Sequence, residues 1–443
     1  MRSIISSHDD TATTRRAFLA AVAGAVACVS PRRAAFAAAS RDDVPSTGDA
    51  VAGLEPFDEL MRSFLAEHGA PGAALAVSRG GRVVYARGFG YADVDAQTPV
   101  EPTALFRIAS ISKPVTAVAV LQLVEHGRLQ LDDRVVDCMD LSRFQAEDAE
   151  PDPRWKRVTV RQCLQHTGGW DSGKSFDPIA RPWDIAKALG VEPPITPAHI
   201  VRFMLGRPLD FEPGERYAYS NFGYLVLGRI IEAVTGRQYQ THVRMAVLAP
   251  LGITSMPLGR ALLAHRAPGE VRYYPARART RPALYPPRIG QPVPIQYGGE
   301  NFEAFEAHGG WIASAVDLVK FAAAFDDPAS CPILGEETIR TMWSRPAGAA
   351  GTQPDGTPRE VFYGCGWSVR PVGNEGKRNA WHAGRIAGTS TLLVRRWDGL
   401  NWAVLFNTES TPGGPAPAAR IDPLVHQAAA KVSAWPNRYT RRG

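Results

Sequence analysis

Ser110 and Lys113 stand three residues apart in Ser110-Ile111-Ser112-Lys113, a spacing that puts two side chains on one face of a helix. A serine hydroxyl is a weak nucleophile until a base takes its proton, and a lysine amine at that distance can do so. Pro114 follows at once. Lacking an N–H, it fits the first helical turn, so Ser110 is expected at the helix N-terminus. Free backbone N–H groups there favour developing negative charge. Alone, the pair equally describes a surface lysine beside a capping serine.

Two further clusters carry chemistry. Tyr219-Ser220-Asn221 follows the turn Glu212-Pro213-Gly214-Glu215 and precedes a helical pattern. A tyrosine at such a junction can present its hydroxyl to a cleft, and a nearby Lys113 would lower its pKa from the reference of ~10 toward general-base work. Asn221 offers a carbonyl and an amide suited to holding a substrate amide. The same residues could instead be a packed tyrosine and a helix cap. The other cluster is His382-Ala383-Gly384-Arg385, just before two apolar runs. Gly384 would let a ligand lie against a strand edge. The Arg385 backbone N–H could pair with that of Ser110 as an oxyanion hole, and His382 would orient the catalytic groups or meet a substrate carboxylate.

The elements that must position these residues are legible in outline. Phe57 to His68 has helical spacing and stops at Gly69-Ala70-Pro71-Gly72. Ala73–Ser78 and Val83–Gly90 flank Arg79-Gly80-Gly81-Arg82, a β-hairpin signal. Helices are expected over Val115–Glu125, closed by Gly127, and Phe222–Val234, closed by Gly236. Ser314 and Asp317 form a capping box before a helix over Ala315–Phe325. Strands are expected at Phe362–Arg370, Ser390–Arg396 and Asn401–Phe406, with Asp398-Gly399 in a turn, then a last helix over Pro423–Val432. Residues 40–53 read as a polar linker, and 260–300, rich in Arg, Pro and Tyr, as a long irregular loop or lid. The fold class is therefore α+β. An antiparallel sheet flanked by helices, from residues 54–109 and 301–443, joins a mainly helical lobe from 110–300.

In this order the three clusters resemble the signatures of the serine β-lactamase and penicillin-binding superfamily. The Tyr-x-Asn second motif is similar to its class C β-lactamase-like branch, with esterases and D-alanyl-D-alanine peptidases. Phe106-Arg107-Ile108-Ala109, Leu164-Gln165-His166-Thr167-Gly168-Gly169, Pro213-Gly214-Glu215 and Gly309-Gly310-Trp311-Ile312-Ala313-Ser314 add to the likeness, which spans roughly 55–435. The resemblance implies Ser110 as acylated nucleophile, Lys113 and Tyr219 sharing proton transfer with the base undecided, and Asn221 contacting substrate. His382 departs from the lysine of β-lactamases. With a reference pKa of ~6.5 it lacks a permanent charge for a β-lactam carboxylate, which implies an esterase or peptidase with at most weak β-lactamase activity.

Other readings are bounded by composition. Gly168-Gly169-Trp170-Asp171-Ser172-Gly173-Lys174-Ser175 matches a phosphate-loop pattern, but such a loop needs a strand before it and a helix after it. Here the preceding residues look helical and Pro178 and Pro182 follow. Arg15-Arg16, an apolar stretch from Ala17 to Val29 and the small residues up to 39 read as a twin-arginine signal peptide. That stretch of about 13 residues falls short of the ~20 a membrane helix needs; Ala25-Val26-Ala27-Cys28 is only a loose lipidation signal. The net charge of +6 falls to +3 once the five arginines and two aspartates of residues 1–39 are set aside. A nucleic-acid partner is not expected on that count.

Cys138, Cys163, Cys331 and Cys365 lack C-x-x-C spacing, so no metal is expected; they are free thiols or disulfide partners. No cofactor is implied. The expectation is a periplasmic or secreted serine hydrolase acting on a small acyl substrate or cell-wall peptide. The alternative is a slowly acylating or non-catalytic cell-wall binding protein of the same fold.

Overall fold

The computed structural model describes residues 40–141, 144, 151–373, 376–410 and 414–436. The expected signal segment and Cys28 lie outside the described residues. The strands, in chain order, are β1 (Ser46–Thr47), β2 (Gly72–Arg79), β3 (Arg82–Asp93), β4 (Thr98–Pro99), β5 (Phe106–Arg107), β6 (Thr280–Pro282), β7 (Pro292–Pro294), β8 (Ile312–Ala313), β9 (Phe362–Tyr363), β10 (Ser368–Val372), β11 (Lys377–Ile386), β12 (Thr389–Arg395) and β13 (Leu400–Phe406). Nine of them form one sheet in the order β1-β3-β2-β13-β12-β11-β10-β9, with β4 against β3. Every pairing in that sheet is antiparallel. Segments far apart along the chain meet in its middle, where Phe406 pairs with Ala73 and Leu400 with Arg79.

The helices that matter here are α1 (Glu55–His68), α2 (Ser112–Glu125), α3 (Val160–Leu164), α4 (Pro182–Leu189), α5 (Pro197–Leu205), α6 (Asn221–Thr235), α7 (Ala315–Ala323) and α8 (Pro417–Ala430). Successive strand side chains alternate between faces, so a central strand buried on both sides reads as a continuous apolar run. On β2, Ala74 and Ala76 join the core shared with α7 and the helical lobe, whereas Ala73, Leu75 and Val77 join the core under α1 and α8. On β13, Ala403 and Leu405 face the first core; Trp402, Val404 and Phe406 face the second. The β2–β3 turn falls on Gly80 and Gly81, both at positive φ, as a tight hairpin turn requires.

α2 is the pivot of the helical lobe. Ser112 to Leu123 are all buried, so the helix has no wet face and is packed on all sides. α6 runs beside it, closed by Gly236 in the left-handed conformation (φ +68°). The Ser314–Asp317 capping box opens α7, with the Asp317 N–H donating to Ser314 Oγ at 3.1 Å.

Four expectations need correction. The segment read as a linker contributes β1, with Ser46 opposite Phe89. His382-Ala383-Gly384 does precede the strand pair, now β12 and β13, but lies within a further, unexpected strand, β11. The polar Lys377–Asn379 start of β11, exposed to a degree that a core strand is not, hid that strand from hydropathy.

The segment 260–300 is not a loose loop. It carries the β6–β7 hairpin and buries Val271, Tyr273, Leu284, Tyr285 and Ile295. Its short range of apolar residues has no period because turns and prolines, not a helix or strand, place them. Helix α8 begins at Pro417, earlier than expected, with Pro423 inside it.

Candidate active site

The chain enters the site through β5, held against β8 by Phe106–Ala313 pairing. It then turns sharply. Ala109 has a positive φ of 47°, rare for a residue with a Cβ, and Ala109–Ile111 form one 3-10 turn before α2. Such strain persists only where the surroundings impose it, commonly at functional sites. What imposes it here is the sheet. Thr391 Oγ1 donates to the Ile108 carbonyl at 3.0 Å, and Gly384, paired with Thr391, lies beneath. A Cβ on Gly384 would fall 2.2 Å from the Ile108 oxygen and 3.1 Å from Ala109 Cβ. Gly384 is thus a seat for the Ala109–Ile111 turn that carries Ser110. The expected reason for that glycine, close approach of a ligand, is replaced by close approach of protein backbone.

Ser110 is half-buried and Lys113 wholly buried. The Lys113 amine reaches three acceptors: Ser110 Oγ at 3.2 Å, Asn221 Oδ1 at 2.8 Å and the His308 carbonyl at 2.9 Å. Burial pulls its pKa down to about 7, opposed by the negative charge of Asp177. A neutral amine has two N–H bonds and one lone pair. Donating to Asn221 and His308 leaves that lone pair for the Ser110 hydroxyl.

Asn221 is oriented in turn, because its Nδ2 donates to Asp177 Oδ2 at 2.7 Å, which fixes Oδ1 toward the lysine. Asp177 also takes the Ile179 N–H at 3.1 Å, capping a short 3-10 turn. No sequence spacing pointed to Asp177 or His308; a tertiary contact alone brings them in.

Tyr219 enters the site with the Lys113 Nζ 4.8 Å from the centre of its ring. Burial pushes its hydroxyl pKa up, with only the Ser110 contact opposing. The expected lowering by Lys113 fails for two reasons. Desolvation of the phenol outweighs any help from the amine, and burial lowers the charge of the amine itself at neutral pH.

The tyrosine is held by His166, one of the motif residues with no assigned task. The His166 carbonyl accepts from Ala218 N–H at 2.9 Å and its Nδ1 from Ser220 N–H at 3.2 Å, gripping both neighbours of Tyr219. The rings of His166 and Tyr219 are 4.3 Å apart, and His166 itself sits at positive φ. Burial and Lys113 keep it neutral.

His382 is buried, and burial with the Lys113 charge holds its pKa at about 3. Its Nδ1 lies 2.7 Å from the Ala383 carbonyl, which can only accept, so Nδ1 carries the proton. Nε2 then accepts from the Tyr363 hydroxyl at 3.0 Å. Both ring nitrogens are engaged inside the protein. His382 has nothing left for a substrate carboxylate, and of its two expected tasks the geometry leaves orientation. Tyr363, brought in by β9, was not visible as a site residue in the sequence.

Ser110, Asn221 and Arg385 line one cavity of about 210 Å³ together with Asp177, Glu300 and His308. Beyond Trp381, β11 pairs only with β12, so residues 382–386 present a free strand edge to the nucleophile turn. Arg385 and Ser110 therefore face a shared space.

The phosphate-loop lookalike lacks its frame. It follows α3, a helix, and Lys174 is tied to the Asp210 carbonyl, Ser175 to Asp210 Oδ2. The described cysteines, Cys138, Cys163, Cys331 and Cys365, are all free. Among the described residues no helix is long and apolar enough to cross a membrane.

A two-part α+β fold with a strained Ser-x-x-Lys turn seated on an antiparallel sheet is the architecture of β-lactamase-related serine hydrolases. The family model described as Beta-lactamase matches residues 57–427, and the chain belongs to that family. A penicillin-binding protein of Bacillus subtilis is 26% identical over 351 residues, 76% of this chain and 68% of its own length. Esterase EstB of Burkholderia gladioli is 32% identical over 230 residues, 49% of this chain and 54% of the esterase. The chain spans only 37% of the length of protein flp of Staphylococcus aureus, to which it is 29% identical over 201 residues, 45% of this chain. Among solved structures, the octameric penicillin-binding protein homologue of Pyrococcus abyssi superposes with a TM-score of 0.62 at 27% identity, covering 86% of this chain and 77% of that one.

Proposed function

We propose that this protein is an exported serine hydrolase that cleaves an ester, amide or peptide bond through an acyl-enzyme on Ser110. The observation that supports this most is the Lys113 amine, 3.2 Å from Ser110 Oγ, buried, and poised at a pKa of about 7. A base is most effective when its pKa lies near the working pH. In its neutral form Lys113 takes the Ser110 proton as Oγ attacks the acyl carbon. The backbone N–H groups of Ser110 and Arg385 are assigned to the developing oxyanion, where such donors matter most.

Burial keeps Tyr219 protonated, which suits it to pass a proton to the leaving group. Water then replaces that group and hydrolyses the acyl-enzyme by the reverse sequence. Asn221 keeps one amide N–H for the substrate after serving Asp177. The likeness to an esterase and to penicillin-binding proteins fits this range of bonds. Twin-arginine export, read from Arg15-Arg16 and the stretch that follows, places the activity in the periplasm or outside the cell. The neutral His382 supports ester or peptide cleavage over efficient β-lactam hydrolysis.

The test is hydrolysis of p-nitrophenyl butyrate by wild type and Ser110→Ala, with intact-mass detection of the acylated chain. Activity and the mass increment are both expected to vanish in the variant. Equal rates would remove Ser110 from the reaction.

A further inference from the structure

The cavity that exposes Ser110 holds one acid without an occupation. Asp177 spends its oxygens on Asn221 and on the Ile179 N–H. Glu300, on the same wall, makes no hydrogen bond or ion pair among the described residues, and its Oε2 is sealed from solvent without a partner. Burial raises its pKa, and Arg107, Arg281 and Arg279 act on it only through space. Arg107 and Arg279 are committed to other partners. Arg107 gives its two terminal nitrogens to the carbonyls of Gln296 and Arg260. Arg281 is exposed on the cavity rim and forms no ion pair among the described residues.

A buried acceptor left unpaired costs about 1–3 kcal/mol, more when charged, and such groups are few in native proteins. A carboxylate can only accept, so its missing partner is a donor. A neutral donor would leave the charge uncompensated in a partly dehydrated pocket; a cationic one would not.

We propose that Glu300 recognises a free ammonium on the substrate, so that the natural substrates are unblocked amino-acid or short-peptide esters or amides. This rests on reading the cavity as the acyl-substrate pocket. Glu300 then acts in selection, holding the ammonium while the acyl carbon meets Ser110.

The measurement is binding to full-length Ser110→Ala protein, in which turnover is absent, by calorimetry at a pH where α-amino groups are protonated. The probes are alaninamide and N-acetylalaninamide, each as both enantiomers. The better-bound alaninamide enantiomer is expected to bind about tenfold more tightly than its acetylated form, as a charge-assisted hydrogen bond would give. Adding Glu300→Gln should abolish that preference and leave the acetylated affinity unchanged. Glu300→Asp, which keeps the charge on a shorter stem, should retain part of it.

Equal binding of the two probes to the Glu300 protein overturns the proposal. So does a Glu300→Gln protein that weakens both alike, the result of a merely structural carboxylate. Hydrolysis of p-nitrophenyl butyrate by the wild type tests the hydrolase reading separately. Serine-dependent hydrolysis without ammonium preference defeats only the role of Glu300. Ammonium preference without serine-dependent hydrolysis defeats the hydrolase reading and leaves ammonium recognition standing.

Discussion

At the residue scale the site is governed by how burial sets protonation. Lys113, with a pKa of about 7, must lose its proton before it can take one from Ser110. The rate constant kcat/KM for a neutral ester is therefore expected to rise through about pH 7 and level off above it, as a pH–rate series would show. Asp177 opposes the lowering of that pKa. Asp177→Asn removes the negative charge, so the acid limb should move to lower pH, while kcat falls as the Asn221 amide loses its orientation. A loop-anchoring role alone would lower Tm and leave the pH profile in place.

His382→Lys follows the same logic in the opposite sense to what the sequence invites. Both ring nitrogens of His382 are engaged and Lys113 is close. A second amine buried there lacks a counter-charge, and an unpaired buried charge is costly. The variant should melt lower and lose activity on neutral and carboxylate-bearing esters alike. Tighter KM for the carboxylate substrate alone would contradict this.

Elements act here as rigid seats for single side chains. α2 offers Lys113 from a helix packed on all sides, so the amine has no route to water except through the site. β11 supports the Ala109 turn through Gly384, with room for no side chain. Gly384→Ala forces the turn or the strand to move, and overpacking of that kind costs roughly 1–3 kcal/mol. The expected result is a drop of more than about tenfold in kcat with a lowered Tm, read by ester kinetics and thermal melting.

His166 couples two loops through one residue, gripping Ala218 and Ser220 so that Tyr219 cannot drift from Ser110. Its own left-handed backbone is what turns both the carbonyl and the ring toward the same strand of chain.

For the whole molecule, the two lobes share their covalent order in an interleaved way. Strands from residues 46–99 and 362–406 complete one sheet, and the helices between them are spliced in. β2 and β13 cannot be buried on both faces until the last third of the chain arrives. The proposed twin-arginine route rests on Arg15 and Arg16. Replacing Arg15 and Arg16 together by lysine is expected to retain the uncleaved precursor in the cytoplasm. Fractionation and N-terminal sequencing would show it; normal processing of the double variant would discard that route.

The amino-acid order by itself determined whatever depends on neighbours along the chain. It specified the helix spacing of Ser110 and Lys113, the Gly80-Gly81 hairpin, the Ser314–Asp317 cap and the glycine stops at Gly127 and Gly236, because these rest on local backbone geometry. It also carried the three ordered clusters that mark the family. Tertiary structure decided everything that depends on dehydration and on contacts between distant segments.

Only folding lowered the pKa of Lys113 and raised that of Tyr219, since burial, not residue type, moved them. Only folding engaged both nitrogens of His382, one of them with Tyr363, brought Asp177 and His308 to the cavity that Ser110 lines, and gave residues 260–300 a buried core. Electrostatics in a dehydrated cavity follows from what surrounds a group in space, and a linear order does not specify that surrounding until the chain has closed.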